Sequence, residues 1–375
     1  MTAHALLSAS GSKRWLSCTP SAKLEATLPE QKRGHGAFDF SQEGTTAHSL
    51  AEAKLRYYFG QIGTEEYENE VSTIKATPYY NDDFEAHVDS YVLYVRSQIG
   101  EGDVPLFEQR VDFSDWVPDG FGTADVVILS KHAIRVIDLK FGKGVPVSAI
   151  DNTQLRLYAL GAWSKFKEEY PNIKEVSYTI HQPRLDSIST DGTSVAKLVD
   201  WANYFVKPKA KKAWSGSGEF LPGEWCQFCR AKAQCRARSD YNTELAKQEF
   251  KAPPLLDDDE ISLVISKAQQ LKTWVNDVEE FALNRAVTEN ILPPGYQLSI
   301  TKTHRKIADS ALAATVLVEK GMSPEVIWAA PKLKSIASLE KINKQVAAWL
   351  GELVLRPEGE PKLVRVKEDA KEDFA

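Results

Sequence analysis

Asp125, Asp138 and Lys140 fall in two short apolar, β-branched runs, Thr123–Leu129 and Ala133–Lys140, with only Ser130–His132 between them. Such runs around a short link predict a β-hairpin. Centred between Lys131 and His132, the hairpin sets Asp125 directly opposite Asp138. Facing side chains in an antiparallel pair have Cβ atoms about 5 Å apart. Two carboxylates held that close raise each other's pKa unless a cation lies between them. A hard divalent ion that prefers oxygen ligands, Mg²⁺ or Mn²⁺, meets that need. Lys140 is two residues past Asp138 and so projects from the same strand face. Two acids and an ammonium group suit phosphodiester hydrolysis. A metal lowers the pKa of its bound water and polarises the phosphate. A neighbouring lysine orients that water and offsets developing charge. An Asp-x-Lys tripeptide alone is more often a surface salt bridge. Here the small residues of Gly122-Thr123-Ala124 before Asp125 leave room for a close approach.

Further groups flank the hairpin. His48 and Glu52 share one face of a predicted helix, and an imidazole is a candidate metal ligand or substrate contact. Gln154 and Tyr158 stand one turn apart on the helix that follows, offering an amide and a phenol. Glu108, on the preceding strand, is a further acidic candidate outside this set. The four cysteines are Cys18, then Cys226, Cys229 and Cys235 in the pattern C-x2-C-x5-C. In a reducing compartment such crowding points to a metal or a cluster rather than to disulfides. Four thiolates suit structural Zn²⁺ or an iron–sulfur cluster, and the spacing does not separate the two.

The elements that must position these groups follow from periodicity. Helices are expected around Trp15–Leu24, over Thr45–Phe59 and over Asp82–Ile99, with a loop at residues 29–42. Strands are expected over Leu106–Phe113, Thr123–Leu129, Ala133–Lys140 and Glu175–His181, with helices over Thr153–Tyr170 and Ser194–Phe205. That order predicts an α/β core with a mixed sheet. The expected divisions are a first domain over residues 1–240, a Pro- and Asp-rich linker over 241–259, a helical region over 260–356 and a charged tail over 357–375. Long helical stretches are expected at Glu260–Glu289, 308–320 and 336–352.

Composition fits a water-soluble chain: 375 residues, 43% hydrophobic, 26% charged, net charge −6. No apolar run approaches the ~20 residues of a membrane span, and no signal-peptide stretch opens the chain, so a cytoplasmic setting is expected. The acidic balance does not advertise nucleic-acid binding, but a local basic track would suffice. Lysines gather at Lys207, Lys209, Lys211 and Lys212, and basic residues again at Lys302, Arg305 and Lys306. Taken alone, either cluster reads first as a solvated face.

The ordered set of His48, Gly122-x-x-Asp125, Asp138-Leu139-Lys140 and Gln154-x-x-x-Tyr158 resembles the motif series of RecB-type nucleases in the PD-(D/E)xK superfamily. The resemblance covers residues 8–240 or so. It implies a PD-(D/E)xK restriction-endonuclease-like core, a mixed sheet flanked by helices, followed here by a helix-rich C-terminal region. It implies metal ligation by His48, Asp125, Asp138 and the Leu139 carbonyl, catalysis by Lys140, and DNA contact by Gln154 and Tyr158. Cys18, Cys226, Cys229 and Cys235 match the subgroup that carries a [4Fe-4S] cluster, exemplified by AddB and the CRISPR-adaptation nucleases, with Zn²⁺ the alternative occupant. Trp15, Trp225 and Phe228 are candidate shields for that centre. The whole chain, through Thr303–Asp309 and Pro331–Lys334, also resembles a phage and prophage family of unassigned function. The expectation is a metal-dependent deoxyribonuclease, an exonuclease on single-stranded or free-ended DNA, in phage recombination, replication or DNA processing. A phage recombinase or another replication protein is the expected partner, with the host cytoplasm the setting and no membrane. The alternative is a non-catalytic DNA-binding scaffold that keeps the fold.

Overall fold

The computed structural model describes residues 5–29, 40–144, 146–246, 258–300, 306–329, 332–333, 336–355 and 361–365. The chain forms two compact units, Met1–Val275 and Asn276–Ala375.

The first unit is built on a five-stranded sheet. Its strands are β1 (Val104–Asp112), β2 (Phe121–Leu129), β3 (Ala133–Leu139), β4 (Glu175–Gln182) and β5 (Ser187–Ser194), paired in that order. All neighbours are antiparallel except β3 and β4. A parallel pair needs a long crossover, and α6 (Thr153–Phe166) supplies it. Asn152 caps α6 by accepting from the Leu155 N–H. The sheet is mixed and helix-flanked, as the strand and helix order predicts.

Helices cover both faces. Five precede the sheet: α1 (Ser12–Ser17), α2 (Ser21–Ala26), α3 (Phe40–Tyr58), α4 (Thr64–Lys75) and α5 (Asp82–Ser97). One apolar core joins Leu50 and Leu55 of α3 and Val88 and Tyr91 of α5 to Val126, Ile128, Ile137 and Leu139. The other joins Leu155, Tyr158 and Leu160 of α6 to Ala124, Val127, Leu129, Ile134 and Val136. Side chains alternate between faces along a strand, so a one-residue slip exchanges the faces. On β2 the α6-side core takes Ala124 and then Val127, so the alternation slips beside Asp125. On β1 it takes Leu106 and then Val111, a slip in the same region of the sheet. There Glu108 adopts a left-handed backbone, φ 44°.

After β5 the chain runs through α7 (Val195–Trp201), a π-helical turn (Ala202–Val206) and α8 (Lys207–Ser215), which Gly216 ends at φ 73°. The cysteine segment holds a short 3₁₀ turn, Glu224–Phe228, before α9 (Arg236–Ala246). Helix α10 (Asp258–Thr288) follows.

The second unit has a core of Ala313, Leu317, Ile327, Leu339, Val346 and Leu350. Its short helices are α11 (Ser310–Glu319), α12 (Pro324–Ile327), α13 (Ile336–Ile342) and α14 (Val346–Leu350). It also holds paired strands that a reading of uniform helix omits. Strand β6 (Tyr296–Ile300) pairs with residues 361–365, which the sequence alone assigns to a charged tail. Shorter pairs join Lys306–Ile307 to Val354–Leu355 and Trp328–Ala329 to Lys332–Leu333.

Other differences lie in the first unit. The stretch Trp15–Leu24 is two short helices, with Cys18 at the break. Helix α4 and strand β5 have no counterpart in the sequence reading. Most of the expected loop at 29–42 and most of the linker at 241–259 lie outside the described residues, as do Lys302, Arg305, Pro331, Lys334 and the rest of the tail. No helix among the described residues is long and apolar enough to cross a membrane.

Candidate metal centre and cysteine site

The β2–β3 hairpin pairs Val126 with Ile137 and Leu129 with Ile134, the register expected from the sequence. The ladder ends one position before Asp125 and Asp138. Instead, the Leu139 N–H donates to Asp125 Oδ2 at 2.7 Å. On the other side of β2, the β1 register pairs Phe107 with Val126 and Gln109 with Ala124, so Glu108 falls level with Asp125. Three neighbouring strands thus bring Glu108, Asp125 and Asp138 to one end of the hairpin.

Helix α3 completes this end. His48 Nδ1 lies 3.3 Å from Asp125 Oδ2. Among the described residues, His48, Glu108 and Asp125 are the set whose ligand atoms all lie within 4.8 Å of one another. A recess beside them is lined by His48, Glu52, Tyr91, Glu108, Asp125 and Leu139. Glu52 turns partly toward Arg56, at 3.8 Å. Glu108 therefore belongs with the expected residues. No sequence spacing pointed to it, because the link between β1 and β2 is too long to fix a register.

Asp138 is met from the α6 side. It is 2% exposed, and the Lys140 ammonium lies 2.9 Å from its Oδ2. That contact lacks hydrogen-bond geometry, so the buried oxygen has a charge beside it but no donor aimed at it. Gln154 Nε2 donates to Asp138 Oδ1 at 3.2 Å and to the Tyr158 hydroxyl at 3.3 Å. Gln154 Oε1 accepts from Lys140 Nζ at 3.3 Å. The Lys140 N–H donates to the His181 carbonyl of β4 at 2.9 Å, which fixes the strand end bearing the lysine. Gly122 has a steric role: a Cβ there would stand 2.7 Å from Tyr158 Cε1, so only glycine lets the ring lie against β2.

The electrostatics are those of crowded acids that share a few cationic neighbours. Burial lowers the His48 pKa, but the Asp125 charge and hydrogen bond, with Asp138 and Glu108, overcome it and hold the imidazole at about 9. Burial and the Asp125 charge push Glu108 up to about 7. Burial also raises Asp138, which Lys140 only partly counters. Asp125 is buried too, yet His48 and Lys140 keep its carboxyl below the usual range. Burial works against the charged Lys140, but Asp138 and Asp125 raise its pKa. Burial and the Asp138 charge raise the Tyr158 phenol. Crowded carboxylates whose charge His48 and Lys140 only partly offset fit a hard divalent ion.

The four cysteines line a second pocket, with Arg14, Leu221, Trp225 and Arg238 also in its wall. All four are free thiols. Burial pushes the Cys229 thiol up to about 12 and raises Cys18 and Cys226 as well. Ionising such thiols needs a strong cationic partner, which fits a metal or cluster. No trio of these sulfurs lies within 4.8 Å. Thiolates on one tetrahedral Zn²⁺, with bonds of ~2.3 Å, would stand roughly 3.8 Å apart. The expected shield is only partly present. Trp225 lines the cavity, but Trp15 is buried in the α6-side core and Phe228 is 72% exposed.

Polar contacts bind the cysteine segment to the N-terminal helices. Arg14 pairs with Glu25 at 2.6 Å and donates to the Phe228 carbonyl at 3.1 Å. Glu25 accepts from the Arg230 N–H at 2.7 Å.

Comparison with solved structures finds similarity to a protein of Eubacterium rectale provisionally named an exonuclease. It is 10% identical, with a TM-score of 0.34, over 66% of this chain and 90% of that one. A second, SSO0001, is 15% identical with a TM-score of 0.24, over 59% of this chain and 95% of that one. Residues 4–372 match the family described as protein of unknown function DUF2800, and the chain belongs to that family.

Proposed function

We propose that the protein is a divalent-metal-dependent DNA nuclease, working as an exonuclease in DNA processing, recombination or replication of a phage or prophage. The observation that carries this reading is the juxtaposition of Asp125 and Asp138 at one hairpin end, with Lys140 2.9 Å from Asp138. His48, Glu108, Asp125, Asp138 and the Leu139 carbonyl would hold Mg²⁺ or Mn²⁺. When bound, that ion supplies a water of lowered pKa and polarises the scissile phosphate.

The chain's own residues do the rest. Lys140 remains protonated at neutral pH and places positive charge where the phosphate gains negative charge. Gln154 holds Lys140 and Asp138 at a fixed separation through its two amide atoms. Tyr158, kept protonated, offers its hydroxyl to a phosphate or base. We assign Cys18, Cys226, Cys229 and Cys235 to a [4Fe-4S] cluster in preference to Zn²⁺. The order of the four cysteines, one before the hairpin and three after it as C-x2-C-x5-C, supports that choice.

The test is incubation of purified protein with end-labelled linear, circular and single-stranded DNA in Mg²⁺ or Mn²⁺. Wild type should degrade substrates with free ends, and Asp138→Ala should lose at least ~10³-fold in rate, as when a group acting on the transition state is removed. Equal degradation by both proteins, or binding without cleavage in any metal, would favour a non-catalytic scaffold.

A further inference from the structure

We infer that the helical run from Val195 to Ser215 is a docking platform for single-stranded DNA, outside the candidate metal centre. The inference rests on the nuclease reading for its biological sense, but its geometry stands apart from the metal ligands.

The run carries five lysines against one acid, Asp200, in a chain whose net charge is −6. A cationic concentration of that kind attracts a polyanion. Lys207, Lys211 and Lys212 are exposed, and their side chains have no ion-pair partner among the described residues. Aromatic rings are interleaved with them. Tyr204 is 82% exposed and Phe205 41%. Tyr204, Lys207 and Lys211 recur about one turn apart, as do Trp201, Phe205 and Lys209. Within the second set, Phe205 stacks on Trp201 at 6.4 Å and Lys209 Nζ lies 4.2 Å from the Phe205 centroid. The π-helical turn Ala202–Val206 bears both exposed rings. Such turns recur at functional sites.

Exposed rings beside a charged track are what unpaired bases stack on and backbone phosphates follow. Duplex DNA, whose bases are already stacked, would use the lysines but not the rings. An anionic membrane is the other polyanion to weigh. A helix lying on a bilayer needs an apolar face to bury in it. Here that face, Ala202, Val206, Ala210 and Ala213, is already buried in the protein core.

Fluorescence anisotropy of labelled oligo(dT) with full-length protein in EDTA measures binding without cleavage. Tyr204→Ala should weaken binding about tenfold, the order expected for one lost stacking contact. Tyr204→Phe, which keeps the ring, should bind like wild type. The K207Q/K211Q double variant should weaken binding and flatten the salt dependence by roughly 1.4 in log–log slope, about 0.7 per phosphate contact. Oligo(dT) affinities within twofold of wild type for all three variants would overturn the platform. So would an equal loss of blunt duplex binding in Tyr204→Ala, or a loss of binding to phosphatidylserine vesicles alone. Failure of the nuclease reading shows separately, as absence of metal-dependent cleavage while oligo(dT) binding in EDTA persists.

Discussion

At the residue scale the candidate metal centre is a set of groups whose protons a bound cation would displace. The Asp125 charge holds the His48 imidazole up at about 9, and burial beside Asp125 pushes Glu108 up to about 7. Both folded values lie above the ordinary 6.5 and 4.5. Stability from the protonated His48–Asp125 pair is therefore full below pH 6.5 and lost as pH rises through 9. Glu108 works in the same direction, because the folded chain holds its proton more tightly than the unfolded chain from pH 4.5 to 7. Metal ligation needs a neutral imidazole and an ionised carboxylate. Binding of Mn²⁺ near neutral pH should release about one proton from His48 and a fraction of one from Glu108. Affinity should climb toward pH 9. Calorimetry in buffers of different ionisation enthalpy counts those protons, and uptake with no release would remove His48 from the ligand set. Glu108→Gln should weaken Mn²⁺ binding by at least the ~10–100-fold that loss of an outer-shell partner costs. Wild-type affinity in that variant would return Glu108 to a bystander.

At the element scale, three strands, β1 to β3, and two helices, α3 and α6, set the site. Gly122→Ala would drive a methyl group into the Tyr158 ring. Overpacking of this kind costs about 1–3 kcal/mol. Thermal melting should register that loss. In a Y158A background the same Gly122→Ala change should cost little, because contacting residues couple by about 0.5–3 kcal/mol. Additive losses in the double-mutant cycle would mean that the glycine serves the strand, not the tyrosine. The same elements show what a sequence can disclose. The hairpin register was legible because a short link between two alternating runs leaves one pairing that buries both apolar faces. Gln154 and Tyr158 were legible because helical spacing alone fixes a shared face. Glu108 was legible only as an acid on the preceding strand, since its level depends on the longer β1–β2 connection and on a slip in alternation that no local pattern announces. Strand β5 was missed because Ser187–Ser194 is an edge strand of half-exposed polar residues with no apolar period. Helix α4 was missed because it buries only Val71 and Ile74 beneath a charged surface.

At the scale of the whole molecule, the four cysteines bring together parts of the first unit that are remote in sequence. Cys18 sits at the break between α1 and α2, and its three companions lie beyond α8. Polar contacts already span this junction, but they differ in weight. Lys13 and Glu224, at 2.7 Å, are 63% and 67% exposed, and such pairs contribute about 0–1 kcal/mol. Arg14 and Glu25 are 20% and 10% exposed and share hydrogen bonds with the cysteine segment, so they matter more. A covalent link between residues so far apart restricts the unfolded chain strongly, with a ceiling of roughly 5 kcal/mol in the loop-closure picture. Anaerobic preparations should be brown, with the ~400 nm absorption of thiolate-bound iron–sulfur centres. Cys18→Ser should diminish that colour and lower Tm by several degrees, at about 2–4 °C per kcal/mol for a unit of this size. Lys13→Ala should change neither. The loss should also open the chain to proteases around α1 and the Cys226–Cys235 segment before the sheet is cut, since local opening starts where cooperative contacts are removed. A colourless wild-type protein containing one zinc per chain would replace the cluster by a single ion and keep the cross-link. Wild-type Tm, colour and proteolysis in Cys18→Ser would instead mean that no centre joins the two segments, leaving Arg14, Glu25 and Arg230 to hold them together.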